Sequence, residues 1–122
     1  MRRYIKAFVI CLTTLVALSC GNQHKAESVV KDFLDENMMS ADYSISFNGI
    51  DSTRNLTDSM INVMKINAKN NSLFKKNIAY GTNKGKKPYI LTKTRIYNGK
   101  DTVPYTFYLD KTMQNVIAFK MN

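Results

Sequence analysis

Few side chains of this 122-residue chain are able to carry covalent chemistry, and its two cysteines stand out first. Cys11 lies inside an apolar run, and Cys20 closes that run directly before Gly21. A cysteine thiol is a nucleophile when it ionises, and it can be converted to a stable thioether. Because no cysteine follows residue 20, the rest of the chain has no thiol pair for a disulfide or a zinc site. The thiol of Cys20 is therefore the first candidate for chemistry.

The segment before Cys20 has the composition of an export signal. Three of the first six residues are Lys or Arg, and residues 7–19 form an uncharged, mostly apolar run. This arrangement is typical of a secretory signal peptide. The run is shorter than the roughly 20 apolar residues that a transmembrane helix needs. We therefore predict a signal peptide over residues 1–19 that is removed during export.

The junction Ser19-Cys20-Gly21 resembles the lipobox of bacterial lipoproteins, in which small residues flank the cysteine that receives a diacylglycerol. Ala17 stands where that family usually has leucine. The resemblance implies that Cys20 is lipidated and that residues 20–25, which are polar and lack apolar periodicity, form a lipidated tether. More than one acyl chain makes such an anchor stable. We therefore expect a lipid-anchored envelope protein, on the periplasmic face of the outer membrane.

Charge is distributed unevenly along the chain. The formal net charge is +9. Residues 21–60 carry three cations and seven acids, whereas residues 61–122 carry twelve cations and two acids. A basic half can favour nucleic acid, but export removes the chain from that polymer, so we expect no nucleic-acid partner. Anionic headgroups and acidic glycans are the expected partners of a basic surface at a membrane.

The densest cations lie in and before a strand-like segment that also contains tyrosines and threonines. We predict an anion-binding patch there, and its members are Lys84, Lys86, Lys87, Lys93 and Arg95. Ammonium and guanidinium groups bind anions by charge, and guanidinium also stacks on aromatic rings. The alternative is that these side chains are simply solvated and protect a sheet edge from further pairing.

The remaining candidates for catalysis are isolated from one another. His24 is the only histidine, and it precedes the predicted domain, so nothing there would orient its ring. Asp42 precedes a predicted strand and is the strongest candidate among the acids, although a solvated turn carboxylate is the favoured interpretation. Asp101 and Asp110 flank turns, where carboxylates commonly cap the turn or solubilise it. The sequence has no phosphate-binding glycine loop and no nucleophile elbow. We therefore expect no enzymatic activity, no metal and no cofactor.

Hydrophobic spacing predicts two helices. The first covers residues 25–38, and its apolar stripe consists of Ala26, Val29, Val30, Phe33, Leu34 and Met38. The second covers residues 56–69, with Asn55 as its N-cap and Asp58 in its first turn.

Alternating apolar and polar residues predict four strands, over residues 43–48, 88–97, 102–109 and 115–121. Asn98-Gly99 predicts a two-residue type I′ turn between the second and third strands. Pro104 lacks a backbone donor and predicts an edge position or a bulge. Residues 73–80 fit either a further helical turn or a short strand.

The predicted order is helix, strand, helix and a meander of three strands. It indicates a single α+β domain over residues 26–122, in which an N-terminal amphipathic helix packs on a curved antiparallel sheet of about four strands. The order and the texture of the strands resemble the cystatin-like and NTF2-like α+β folds, which recur in small lipoproteins of Bacteroidetes-type bacteria.

The function that these features favour is a non-enzymatic binding or accessory module of the cell envelope. Its sheet face or helix–sheet cleft would contact an envelope protein, a glycan or a small apolar ligand. One alternative is a small hydrolase or isomerase, which the NTF2-like resemblance implies. Another is a periplasmic inhibitor or immunity-type protein. Residues 114–118 nearly match the cystatin wedge, but Ala118 replaces its glycine, so the inhibitory function is not carried over.

Overall fold

The described part of the chain, residues 21–81 and 87–122 of a computed structural model, contains two helices and one four-stranded antiparallel sheet. Residues 21–37 are helical and are named α1. The other elements are β1 (Ser44–Thr53), α2 (Asp58–Lys69), β2 (Tyr89–Tyr97), β3 (Thr102–Leu109) and β4 (Val116–Met121). The strands are ordered β1-β2-β3-β4. The predicted α+β class, the four strands and the helix after the first strand are confirmed.

Helix α1 has the predicted amphipathic stripe but includes more residues than predicted. Ala26, Val30 and Leu34 are fully buried, whereas polar residues of the other face are exposed. Residues 21–25 of the predicted tether are helical too. These residues precede Ala26, the first buried residue of the helix. The spacing of apolar residues cannot reveal a helical turn that has no buried side chain. The turn is held because the following turns pack on the sheet.

The larger core lies between α1 and one face of the sheet. The rings of Phe107 and Phe119 stack at 5.4 Å between centroids, and the ring of Phe33 from α1 meets them edge-on at 6.3 and 5.7 Å. Aromatic pairs of this kind contribute about 0.5–1.5 kcal/mol beyond their burial. The aromatic residues of β3 and β4 on this face therefore fix the helix across the sheet.

Helix α2 packs on the opposite face of the sheet, beside β4. Ile61 and Met64 of α2 belong to a second core cluster with Tyr108 of β3 and Ala118 of β4. Its contacts with the strands concentrate on β4. The part of this face that β1 and β2 form near their Ser44 and Tyr97 ends therefore has no helix over it.

The first turn of α2 is capped two residues later than predicted. The hydroxyl of Thr57 accepts a hydrogen bond from the backbone N–H of Met60 at 3.2 Å. Thr57, and not Asn55, is therefore the N-cap. Both residue types cap well, so composition alone does not decide between them.

Strand β1 continues past its predicted end because it contains a bulge. Asn48 and Gly49 together oppose the single residue Lys93 of β2. Gly49 has a φ of +74°, a left-handed conformation that glycine adopts without a Cβ penalty. Its carbonyl accepts a hydrogen bond from the hydroxyl of Thr92 at 2.8 Å. Gly49 therefore bends the strand instead of ending it, and β1 runs to Thr53.

The β2–β3 hairpin forms where Asn98-Gly99 predicts it, but with a longer loop. Four residues, 98–101, connect the strands. Gly99 has a φ of +89°, whereas Asn98 does not have a positive φ. The side-chain oxygen of Asn98 instead accepts the N–H groups of Lys100 and Asp101. This local bonding stabilises the wider turn, so the two-residue type I′ prediction is wrong.

Pro104 lies in β3, which is an inner strand, but β4 does not pair with it, so the predicted edge position holds locally. The last β3–β4 pair joins Tyr105 to Met121, and Pro104 lies just beyond it. Its carbonyl accepts a hydrogen bond from the N–H of Asn122 at 2.9 Å. A proline fits here because β4 ends before it, and no ladder donor toward β4 is needed.

The connection after α2 has little regular structure over residues 70–81, so neither a further helical turn nor a short strand forms. Phe74 makes a single antiparallel bridge with Met38 at the end of α1. The buried side chain of Asn37 accepts the N–H of Ala79 at 2.9 Å. These bonds attach the connection to the last turn of α1.

Candidate anion-binding site

Strand β2 places two residues of the predicted patch on one face of the sheet. Lys93 and Arg95 are exposed, and they alternate with Thr92, Thr94 and Ile96, which are buried. Residues two apart on a strand point to the same face, with their Cα atoms about 7 Å apart. Lys93 and Arg95 lie on the same face of the sheet as α2, because Leu91, two residues before Lys93, packs against the α2 cluster. They occupy the part of that face that α2 does not cover.

An open groove of about 500 Å³ surrounds these two cations. It crosses β1, β2 and β3, and its lining is mostly polar. The lining residues are Ser46, Phe47, Asn48, Lys93, Thr94, Arg95, Pro104 and Asn122. None of these side chains is acidic, so the groove is positively charged.

Lys93 and Arg95 have no carboxylate partner among residues 21–81 and 87–122. Two unit charges about 7 Å apart repel each other by about 0.6 kcal/mol in water. An anion between them removes that repulsion and is attracted by both. The guanidinium of Arg95 offers a planar pair of donors that matches carboxylate and phosphate. The pair is therefore suited to an anionic group.

Lys120 of β4 adds a third cation to the same face. Lys93 pairs with Thr106, and Thr106 pairs with Lys120, so the three residues form a row across three strands. Because neighbouring strands lie about 4.8 Å apart, the Cα atoms of Lys93 and Lys120 are about 10 Å apart. Sequence reasoning missed Lys120 because it is isolated along the chain. Its position alternating with buried Phe119 in the last strand was the available signal.

Of the other residues of the predicted patch, Lys87 does not line this groove, while Lys84 and Lys86 lie outside the described residues. Lys87 is exposed and precedes the start of β2 at Tyr89. Of the five predicted residues, the structure therefore brings together Lys93 and Arg95.

The direction of α1 shows where the groove lies relative to residue 21. The hydroxyl of Tyr43 donates to Asp35 at 2.8 Å, and the ammonium of Lys31 lies 5.8 Å from the ring centroid of Phe47. Helix α1 and strand β1 therefore run in opposite directions. Residue 21 lies toward the end of β1, whereas the groove opens near its start.

The carboxylate of Asp110 is occupied by the β3–β4 turn. It accepts hydrogen bonds from the backbone N–H groups of Gln114 and Asn115 and from the hydroxyl of Thr112. Burial by itself would raise the pKa of Asp110, but these hydrogen bonds outweigh it and hold the pKa below its usual value. Of the two roles expected for an acid beside a turn, capping and solubilising, Asp110 therefore has the first.

The other isolated candidates are exposed and separate. His24 lies on the solvent side of α1, Asp42 precedes β1, and Asp101 lies in the β2–β3 loop. Within residues 21–81 and 87–122, no three His, Cys, Asp or Glu side chains converge as metal ligands would.

The predicted membrane anchor, Cys20 with its signal peptide, lies outside the described residues, so lipidation stays a prediction. No helix within the described part of the chain is long and apolar enough to cross a bilayer.

Neither a protein-family model, nor a curated protein, nor a solved structure matches this chain.

Proposed function

We propose that this chain is a lipid-anchored, non-enzymatic binding module of the bacterial cell envelope, whose sheet groove holds an anionic group of its ligand. The observation that carries the proposal is the pair Lys93 and Arg95, which lie without a carboxylate partner among the described residues in a groove lined by no acid. Ser46 and Asn48 add a hydroxyl and an amide that can complete the hydrogen bonding of such a group. The buried Asp110 is used by its own turn, which favours binding over a hydrolase or isomerase.

The lipid on Cys20 provides the place of action, the periplasmic face of the outer membrane. Residues 21–25 are helical and lead directly into buried Ala26. A lipid on Cys20 is then one residue from a helix that is part of the core, so the domain stays close to the bilayer. The groove lies toward the opposite end of the sheet, where an envelope ligand can reach it.

For the fold we propose membership of the cystatin-like and NTF2-like group. The support is the helix across an antiparallel sheet in the order helix, strand, helix and three strands. The bulge at Gly49 adds the bend that a sheet needs to curve around its helix.

The direct test is isothermal titration of the mature chain with pyrophosphate at low ionic strength. Residues 20–122 carrying Cys20→Ser are used, so that no detergent for the acyl chains competes. We expect the double variant Lys93→Ala/Arg95→Ala to bind about tenfold more weakly, which corresponds to about 1.4 kcal/mol. Melting temperature checks that the fold is retained.

The matched control removes the same number of charges elsewhere. Lys75 and Lys76 are exposed and lie in the connection attached to α1, on the other side of the sheet. We expect Lys75→Ala/Lys76→Ala to bind as the parent does. An equal loss in both double variants would show that only net charge attracts the anion, and the proposed groove would be rejected.

A further inference from the structure

Helix α2 exposes apolar side chains that the core does not use. Its buried side faces the sheet through Ile61 and Met64. Next to these two buried residues on the helix, Met60 is 46% exposed and Val63 is 53% exposed. Met121 at the end of β4 is 58% exposed. Met60, Val63 and Met121 all line one open groove.

This second groove runs between α2 and the β3–β4 part of the sheet, with a volume of about 360 Å³. The lining residues are Ser59, Met60, Val63, Met64, Asn67, Tyr108, Lys120 and Met121. Methionine side chains are flexible and polarisable, so they adapt to apolar ligands of varied shape. The volume falls in the range of about 300–1,000 Å³ that small-molecule sites have.

The apolar groove and the cationic groove lie side by side on one face of the sheet. Lys120 lines the apolar groove and belongs to the same row as Lys93 and Thr106. Tyr108, at the floor of the apolar groove, is two residues from Thr106 on the same side of β3. Lys93 is thus about 10 Å, the span of two strand spacings, from Lys120 at the apolar groove.

We infer that this face binds an anionic amphiphile, with its phosphate or carboxylate headgroup on Lys93, Arg95 and Lys120 and its apolar tail between α2 and the sheet. The inference rests on the proposed function, because it uses the same cations. Charge complementarity selects an anionic headgroup over a neutral or cationic one. The narrow groove selects a chain-like tail over a protein surface, which covers about 800 Å² on each partner.

The test compares three probes on residues 20–122 carrying Cys20→Ser. They are dodecyl phosphate below its critical micelle concentration, inorganic phosphate, and dodecyl maltoside, which has the same tail and no charge. Burial of only two methylenes strengthens binding about tenfold. We expect dodecyl phosphate to bind at least about tenfold more tightly than either of the other probes.

Two substitutions test the tail site without touching the cations. Val63→Ser/Met121→Ser removes apolar surface from exposed positions, so we expect the fold to persist. It should weaken dodecyl phosphate about tenfold and leave inorganic phosphate unchanged. Ile66→Ser is the control, because Ile66 is 60% exposed on α2 but does not line the groove. It should leave all three affinities unchanged.

The outcomes separate this inference from the proposed function. Equal affinity for dodecyl phosphate and inorganic phosphate, both lost in Lys93→Ala/Arg95→Ala, would overturn the amphiphile and retain the anion groove. Dodecyl maltoside binding as tightly as dodecyl phosphate would overturn both. A dimer in sedimentation that Val63→Ser/Met121→Ser dissociates would overturn the inference, because a second copy would then cover the apolar groove.

Discussion

Asp110 and the pair Lys93 and Arg95 show how burial decides what a charged side chain does in this protein. Asp110 is 1% exposed, and its carboxylate is surrounded by donors from its own turn. Lys93 and Arg95 are exposed in a groove that no acidic side chain lines. The buried charge therefore stabilises the fold, while the exposed pair remains available to a ligand.

Asp110→Ala should destabilise the domain by about 2–4 kcal/mol, because buried backbone donors lose a charged acceptor. Asp110→Asn keeps one acceptor oxygen and should lose less. The lowered pKa of Asp110 means that its contribution is present above the unfolded pKa and is lost as the pH falls through the folded value. Urea unfolding at pH 7 and pH 3 measures this, and the difference between the parent and Asp110→Asn should shrink at pH 3. A difference that grows at pH 3 would contradict the assignment.

Sequence reasoning identified two of the three cations on this face of the sheet, and strand geometry explains why it missed the third. Lys93 and Arg95 alternate with buried residues in one segment, so a period of two is enough to place them together. Lys120 joins them through the pairing of β3 with β4, and one sequence does not specify that register. Lys87 looks adjacent to the cluster in sequence, but it precedes β2 and does not line the groove.

At the scale of elements, local signals worked where a segment has its own periodicity or turn residue. The stripe of α1 and the alternation of β3 are read directly, and the predicted bounds of β3 match Thr102–Leu109. The predicted end of β1 was wrong because a glycine such as Gly49 can either end a strand or form a bulge within it. Only the pairing with β2 distinguishes these roles. The structure of residues 70–81 could not be predicted from local signals, because these residues contact α1, which is far away in sequence.

Gly49→Ala should destabilise the domain by about 1–2 kcal/mol, because an L-residue resists a left-handed φ. A Cβ at this position would meet nothing within 4 Å, so strain and not a clash is the cause. Gly49→Asn is the matched comparison, since asparagine tolerates this conformation better, and it should lose less. Thermal melts of both variants measure the effect. Equal losses would mean that the bulge does not depend on the conformation of residue 49.

At the scale of the whole molecule, residue 21 and the groove are separated along the strand direction. Residue 21 lies toward the Thr53 end of β1, and the groove opens near Ser46 and Arg95. Helix α1 is helical through residue 21 and packed from Ala26 onward. If Cys20 is lipidated as proposed, this helix would fix the domain close to its anchor.

Cys20→Ser should abolish membrane attachment in cells and leave the fold intact, because residue 20 precedes the packed part of the chain. Metabolic labelling with a radioactive fatty acid and fractionation of membranes measure both consequences. Ser19→Ala keeps a small residue beside the cysteine, so it should retain the label. Label on the Cys20→Ser variant would show that the acyl chain is attached elsewhere and would contradict the anchor assignment.

The groove beside Lys93 and Arg95 is proposed to bind an anion, and NMR locates such binding most directly. Residues 20–122 carrying Cys20→Ser and labelled with ¹⁵N are titrated with pyrophosphate, and backbone amide shifts are followed residue by residue. We predict saturable shifts concentrated at Ser46, Asn48, Lys93 and Arg95. Shifts concentrated at Lys75 and Lys76, or small shifts spread over every exposed lysine, would contradict the claim.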